Sequence, residues 1–218
     1  MNVFEPMDLQ ELSSFSGRKE QMAVLKRQKP IEAETFFKKL MRTPFSIAAN
    51  VMGEDAGADI KDILEDEVPE ELQNDPFYNV WIADMAAVCR SFCDMQKTNA
   101  VGFCLGSQRG CRRYHIDNVP LRLLVTYAGQ GTEWLPDEAA DRLAFLNGAP
   151  NEKIIKNPSA IQFMSSWDVS VFRGGPQGLL HRTPDSALNG PSILMRLDHP
   201  SFWNNVLNHG QQKATVAA

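Results

Sequence analysis

Residues 111–136 read CRRYHIDNVPLRLLVTYAGQGTEWLP. Two short runs of strand character, CRRYHID and PLRLLVTY, are parted by a turn, and the Gly-rich turn GQGTEW follows them. In an extended strand the side chains at i and i+2 share a face, about 6.6 Å apart. His115 and Asp117 therefore look the same way, and Ile116 looks the other way. Taken alone, the pair also reads as a surface ion pair or a capped strand end.

The chain continues in the same manner. AVGFCLG lies before this stretch, and AIQFM, WDVSVFRG, GLLHRTP and SILMRLD come after it. Short runs with Gly, Pro and Asn between them indicate a β-sandwich or barrel. PDEAADRLAFLNG interrupts them with a short helical piece. Before Asn99 the character is helical. Residues 31–50 place Phe36, Phe37, Leu40, Met41, Phe45 and Ile47 in a roughly helical pattern that Pro44 breaks. Asp75-Pro76 is a helix start, with Asp75 as N-cap and Pro76 in the first turn. The acidic stretch GEDAGADIKDILEDEVPEEL reads as a solvated loop and short helix. The expected fold class is α+β, a helical N-terminal half packed on a C-terminal barrel. The expected division is 1–98 helical, 99–208 β, and 209–218 a disordered tail.

The chain has 218 residues, 43% of them hydrophobic, enough for a sizeable core in one domain. A net charge of -5 without a basic stripe argues against a nucleic-acid partner. No signal peptide or membrane span is read, so a cytoplasmic location is expected. The four cysteines form no CxxC pair; Cys89 and Cys93, four apart on a helix, read as buried free thiols. Cys111 lies about 13 Å from His115 at strand rise, too far to share a metal with it.

Only four histidines exist: His115, His181, His199 and His209. His181 sits in a strand-like segment 64 residues after Asp117, and Arg196 follows it by 15. Two imidazoles and one carboxylate suit iron in an N,O environment with positions left open.

The order His-x-Asp, a strand ending in Tyr127, GQGTEWL, WDVSVFRG, His181 and Arg196 resembles the Fe(II)/2-oxoglutarate-dependent dioxygenases. The resemblance covers about residues 99–200. It implies a double-stranded β-helix (a jelly-roll, cupin-like barrel) with His115, Asp117 and His181 as metal ligands. It further implies that Arg196 clamps the far carboxylate of 2-oxoglutarate, with Tyr127 and Thr183 adding hydroxyls. A guanidinium suits that task because its fork donates two parallel bonds. Arg122 is the rival clamp, and its other reading is a pair with an acid. Arg113, Glu133 and Trp134 are candidates for the substrate mouth, although GQGTEW also reads as a plain turn. More closely, the motifs are similar to an uncharacterised bacterial family of unknown function. The expected activity is hydroxylation of a small-molecule or protein substrate with Fe(II) and 2-oxoglutarate. The alternative is a non-catalytic zinc- or iron-binding protein linked to metal homeostasis. The helical half reads as a lid or as the interface of a homo-oligomer.

Overall fold

The computed structural model describes residues 3–202. The expected tail, 209–218, and the last residues of the expected β-domain, 203–208, lie outside the described residues.

The chain opens with strand β1 (Val3–Phe4), a short helix α1 (Leu9–Leu12) and strand β2 (Met22–Leu25). Helix α2 (Ala33–Leu40) follows, then strand β3 (Ser46–Met52) and helices α3 (Ala56–Leu64), α4 (Glu70–Gln73) and α5 (Pro76–Gln96). Asp75 caps α5, its carboxylate accepting the Phe77 N–H, and Pro76 opens the helix as expected. Lys97 ends it in the left-handed region, at φ 54°. Cys89 and Cys93 are buried free thiols on α5. Then come strands β4 (Ala100–Gly106), β5 (Leu121–Ala128) and β6 (Glu133–Leu135). A helical insertion, α6 (Arg142–Leu146) and α7 (Asn151–Ile154), leads to β7 (Gln162–Phe163), β8 (Val169–Arg173) and β9 (Leu180–Arg182). The one-turn helix α8 (Asp185–Leu188) leads to β10 (Ile193–Asp198).

Seven strands form one sheet in the order β1-β2-β8-β5-β10-β4-β3, and three form another, β7-β6-β9. All pairs are antiparallel except β1 with β2. After residue 99 the chain passes repeatedly between the two sheets, as in a jelly-roll sandwich. The N-terminal half carries the expected helices, and it also supplies β1, β2 and β3. The change at residue 99 is thus a change of composition, while the large sheet draws on both sides of it. Edge strand β3 alternates exposed Ser46, Ala48 and Asn50 with buried Ile47 and Val51.

Both faces of the large sheet are covered. Leu123, Val125, Val171, Met195 and Leu197 pack against Phe36, Phe37, Trp81 and Met85 of the helices. On the opposite face, Met22, Val24, Leu124 and Phe172 meet Trp134, Met164 and Leu179 from the small sheet's side. This double cover explains why PLRLLVTY is apolar on both faces. Gly129 takes the positive φ expected of its turn, 83°. Gly131 serves close approach instead: a Cβ there would meet the Met164 carbonyl at 2.0 Å. No helix among the described residues is long and apolar enough to cross a membrane.

Candidate metal centre

His115 forms an isolated bridge with His181 of β9. The His115 N–H donates to the His181 carbonyl at 3.0 Å, and the His181 N–H returns the bond at 3.1 Å. This fixes the imidazoles side by side, with ring centroids 4.4 Å apart. Phe172 of β8 closes over the other side of the His181 ring at 4.3 Å.

Asp117 follows in the turn to β5, and its side chain is buried. Its carbonyl accepts the Gly175 N–H at 3.0 Å. Neighbouring Gly174 leaves room for this turn, since a Cβ there would meet the Val119 carbonyl at 1.9 Å and the Asp117 carbonyl at 2.4 Å. Gly174→Ala is therefore expected to lower stability by about 1–3 kcal/mol by overpacking. It should also displace Asp117, read as weaker metal retention in a dialysis assay.

Asp117 Oδ2 lies 3.3 Å from His181 Nε2, and Oδ1 lies 3.9 Å from His115 Nε2. One ligand atom from each of the three residues falls within 4.8 Å of the others. His115 Nδ1 donates to the Arg113 carbonyl at 3.0 Å, and His181 Nδ1 to the Leu179 carbonyl at 3.1 Å. A carbonyl can only accept, so each Nδ1 carries the proton and each Nε2 of the neutral ring turns a lone pair inward. Asp117 Oδ2 is buried and has no hydrogen-bond partner. Three electron-pair donors thus face one point. A metal ion satisfies them, and a proton on an imidazole competes for the same place. The donor set and the orphaned oxygen both fit a divalent metal.

Arg122 of β5 lies on the same face. It bonds Asp117 Oδ1 through Nη1 and Asp198 through Nε at 2.7 Å and Nη2 at 3.2 Å. Burial works to raise the Asp117 pKa, but His181, Arg122 and His115 outweigh it and hold the carboxyl at about 2. Burial works to lower the His115 pKa, but the Cys111 thiol, the Arg113 carbonyl and the Asp117 charge push it up overall.

The remaining sequence candidates divide by strand parity. Arg196, paired with Asp198 at 3.1 Å, stands on the centre's face of β10, as Leu194 of the inner cluster does. Thr183 is buried two residues beyond His181, and its N–H donates to the Cys111 carbonyl at 2.8 Å. Trp134 pairs with His181 in register and lines a cavity of about 460 Å³ with Val24, Phe163 and Met164.

Tyr127 does not reach the centre. It points to the helical face, among Phe37, Trp81 and Trp167, and its hydroxyl donates to Asp84 at 2.7 Å. Burial and the Asp84 charge push its pKa well up. Tyr127→Phe is expected to lower stability by about 1.5–3 kcal/mol, the cost of a hydrogen bond to a charged group. Metal affinity should not change, and calorimetry of both quantities checks this.

Glu133 is also displaced from the expected mouth. It lies next to Trp134, hence on the other face, where Arg182 binds it at 2.8 and 3.0 Å and the Tyr114 hydroxyl donates to it. Arg113 serves through its carbonyl, while its guanidinium donates to the Ala149 carbonyl at 2.7 Å. Cys111, expected to be too far to share a metal with His115, has that imidazole near enough to lower its pKa. It is not among the residues whose ligand atoms converge, as expected, although residues 108–114 are not a continuous strand.

Fold and site together define a two-sheet sandwich with a convergent His-Asp-His centre between the sheets. The chain belongs to the DUF1826 family of proteins of unknown function, whose model matches residues 7–198. No curated protein matches it. Among solved structures it is similar to the Fe(II)/(alpha)ketoglutarate-dependent dioxygenase TqaL, at 10% identity and TM-score 0.42, covering 87% of this chain and 85% of that one. It is also similar to a bsmA homolog from Methylobium petroleophilum, at 12% identity, TM-score 0.40, and 88% and 92% coverage. A third is a full-length Neurospora crassa protein in complex with alpha-KG, at 11% identity, TM-score 0.35, and 90% and 84% coverage.

Proposed function

We propose that this protein is a non-haem Fe(II)/2-oxoglutarate-dependent oxygenase of hydroxylase type, built on a double-stranded β-helix. The observation that carries the reading is the inward lone pairs of His115 and His181 facing the unpartnered Oδ2 of buried Asp117. These three residues would hold the metal. Bound there, Fe(II) supplies the one-electron and dioxygen chemistry. The chain's own residues bind and orient. Arg122 fixes the Asp117 carboxylate from behind. Arg196, from the facing sheet, would take the far carboxylate of the cosubstrate, with Thr183 alongside. Phe172 and Trp134 shield the His181 side of the centre from water.

Anaerobic titration of the Fe(II)-loaded protein with 2-oxoglutarate tests this. The expected result is a saturable visible charge-transfer band that Arg196→Ala weakens by at least about tenfold in affinity, as loss of a charged hydrogen bond requires. Absence of the band in iron-loaded protein overturns the reading.

A second reading draws on the same donors. Two imidazoles and a carboxylate with further positions open also suit zinc, held without turnover. Zinc in the protein as isolated, with no response to 2-oxoglutarate, would select it.

A further inference from the structure

The strands at the margins of the two sheets differ in what they offer a neighbour. β1 and β7 have two residues each, and β9 has three, with His181 already bridged to His115. Edges that short present few open backbone groups. β3 is the exception. It is an edge strand of seven residues, SIAANVM, with no charged side chain and no proline. Its register with β4 runs unbroken from Ser46–Gly106 to Met52–Ala100, so no bulge turns the edge away.

Bonds at the two ends of β3 show which backbone groups face outward. Ser107 N–H donates to the Phe45 carbonyl at 3.0 Å, and Gly53 N–H donates to the Asn99 carbonyl at 2.7 Å. Phe45 and Gly53 therefore bond on the β4 side. Met52 N–H turns the other way, to Asp59 Oδ2 at 2.7 Å. Alternation between these fixed points gives Ile47, Ala49 and Val51 to β4. It leaves the N–H and C=O groups of Ser46, Ala48 and Asn50 outward. Asp59 closes the Met52 end, and no described side chain or loop bonds the other three residues.

Charge identifies what fits this edge. Arg42 precedes the strand, and Glu54 and Asp55 follow it. All three are exposed, and none has an ion pair among the described residues. A parallel copy of the strand would set like charges together. An antiparallel copy sets Arg42 of each chain at the end that carries Glu54 and Asp55 of the other. A two-fold contact of this kind is isologous and closes on itself.

We propose that β3 pairs antiparallel with β3 of a second copy of this chain, about a two-fold axis at Ala48, and joins the two large sheets into one. That centre pairs all three open residues, Ser46 with Asn50 of the second copy and Ala48 with Ala48. Across the sheet Ala48 is level with Cys104 and Arg196, and Asn50 with Gly102 and Asp198. A two-fold axis normal to the sheet preserves its faces, so both His-Asp-His centres lie on one face of the joined sheet. The pairing does not depend on which metal the centres hold.

Sedimentation of the full-length protein over a wide concentration range tests this. The expected result is a dimer that dissociates on dilution. Ala48→Pro removes an outward N–H and spares the β4 ladder, a position where edge strands accept proline. It should weaken the dimer by at least about tenfold, with far-ultraviolet circular dichroism unchanged. Arg42→Glu, an exposed change outside the ladder, should weaken it too, and adding Glu54→Lys and Asp55→Lys should restore it. Hydrogen exchange reads the edge itself: the Ala48 and Asn50 amides should exchange at least about tenfold faster in dilute protein than in the dimer. A monomer at every concentration overturns the proposal and leaves the edge to another segment or another protein. A dimer that folded Ala48→Pro leaves intact also overturns it, because its interface then lies elsewhere. Should Ala48→Pro fail to fold, Arg42→Glu and its charge-swapped rescue decide alone, and a dimer indifferent to both overturns the proposal.

Discussion

Replacing His115 and His181 together with alanine is expected to abolish stoichiometric metal binding and leave the sandwich folded. The two imidazoles are two of the three inward donors, and Asp117 alone has Arg122 as its other partner. Each single alanine should weaken binding by more than the roughly 10–100-fold that loss of an outer-shell partner costs. The fold should persist because His181 packs through its ring on Phe172, while the bridge to His115 uses backbone atoms. Metal content after dialysis and far-ultraviolet circular dichroism separate the two effects. Binding should also weaken as the pH falls. The Asp117 carboxyl, held at about 2, stays ionised throughout, so the competing proton goes to His115. The raised His115 pKa extends that competition to higher pH than an ordinary histidine would. Full metal retention by the double variant would end the assignment.

Parts of this site are legible in the sequence, and strand parity is the reason. Counting in twos brings His115 and Asp117 together, whereas His181 and Arg196, on other strands, enter only through the order of motifs that carries the resemblance. The same count, carried further, also explains the misplaced residues. Arg122 and Tyr127 are five apart on one strand, so they must look opposite ways, and Tyr127 goes to the helices. Glu133 and Trp134 are adjacent, so they too cannot share the mouth. The apolar character of β5 on both faces hides this, because a strand covered on both sides shows no alternation. The path of residues 108–114 is illegible for another reason. It is irregular chain, where neither period applies and backbone bonds such as Thr183 N–H to the Cys111 carbonyl set the path. The N-terminal strands were hidden by brevity: β2 has four residues and no alternation, and β3 follows Pro44 within a run whose start is helical. Tertiary pairing with β8 and β4 decides both.

Arg122→Met is expected to be the most destabilising single change near the centre, by about 3–5 kcal/mol in the metal-free protein, the cost of breaking a buried pair from one side. The Arg122 guanidinium is the shared partner of two carboxylates whose side chains are 1% and 0% exposed, those of Asp117 and Asp198. Removing it leaves Asp198 with Arg196 and leaves Asp117 facing the histidines. A metal ion would supply the missing positive charge at the same point. Metal-loaded Arg122→Met should therefore recover part of the loss, more than wild type gains from the same ion relative to its own metal-free form only if Asp117 Oδ2 faces the ion. Urea unfolding of both proteins, with and without metal, gives the four values needed for that comparison. Equal stabilisation of both by metal would mean that Arg122 and the ion do not share the Asp117 carboxylate. A metal-free loss below about 1 kcal/mol would place Arg122 among ordinary surface ion pairs.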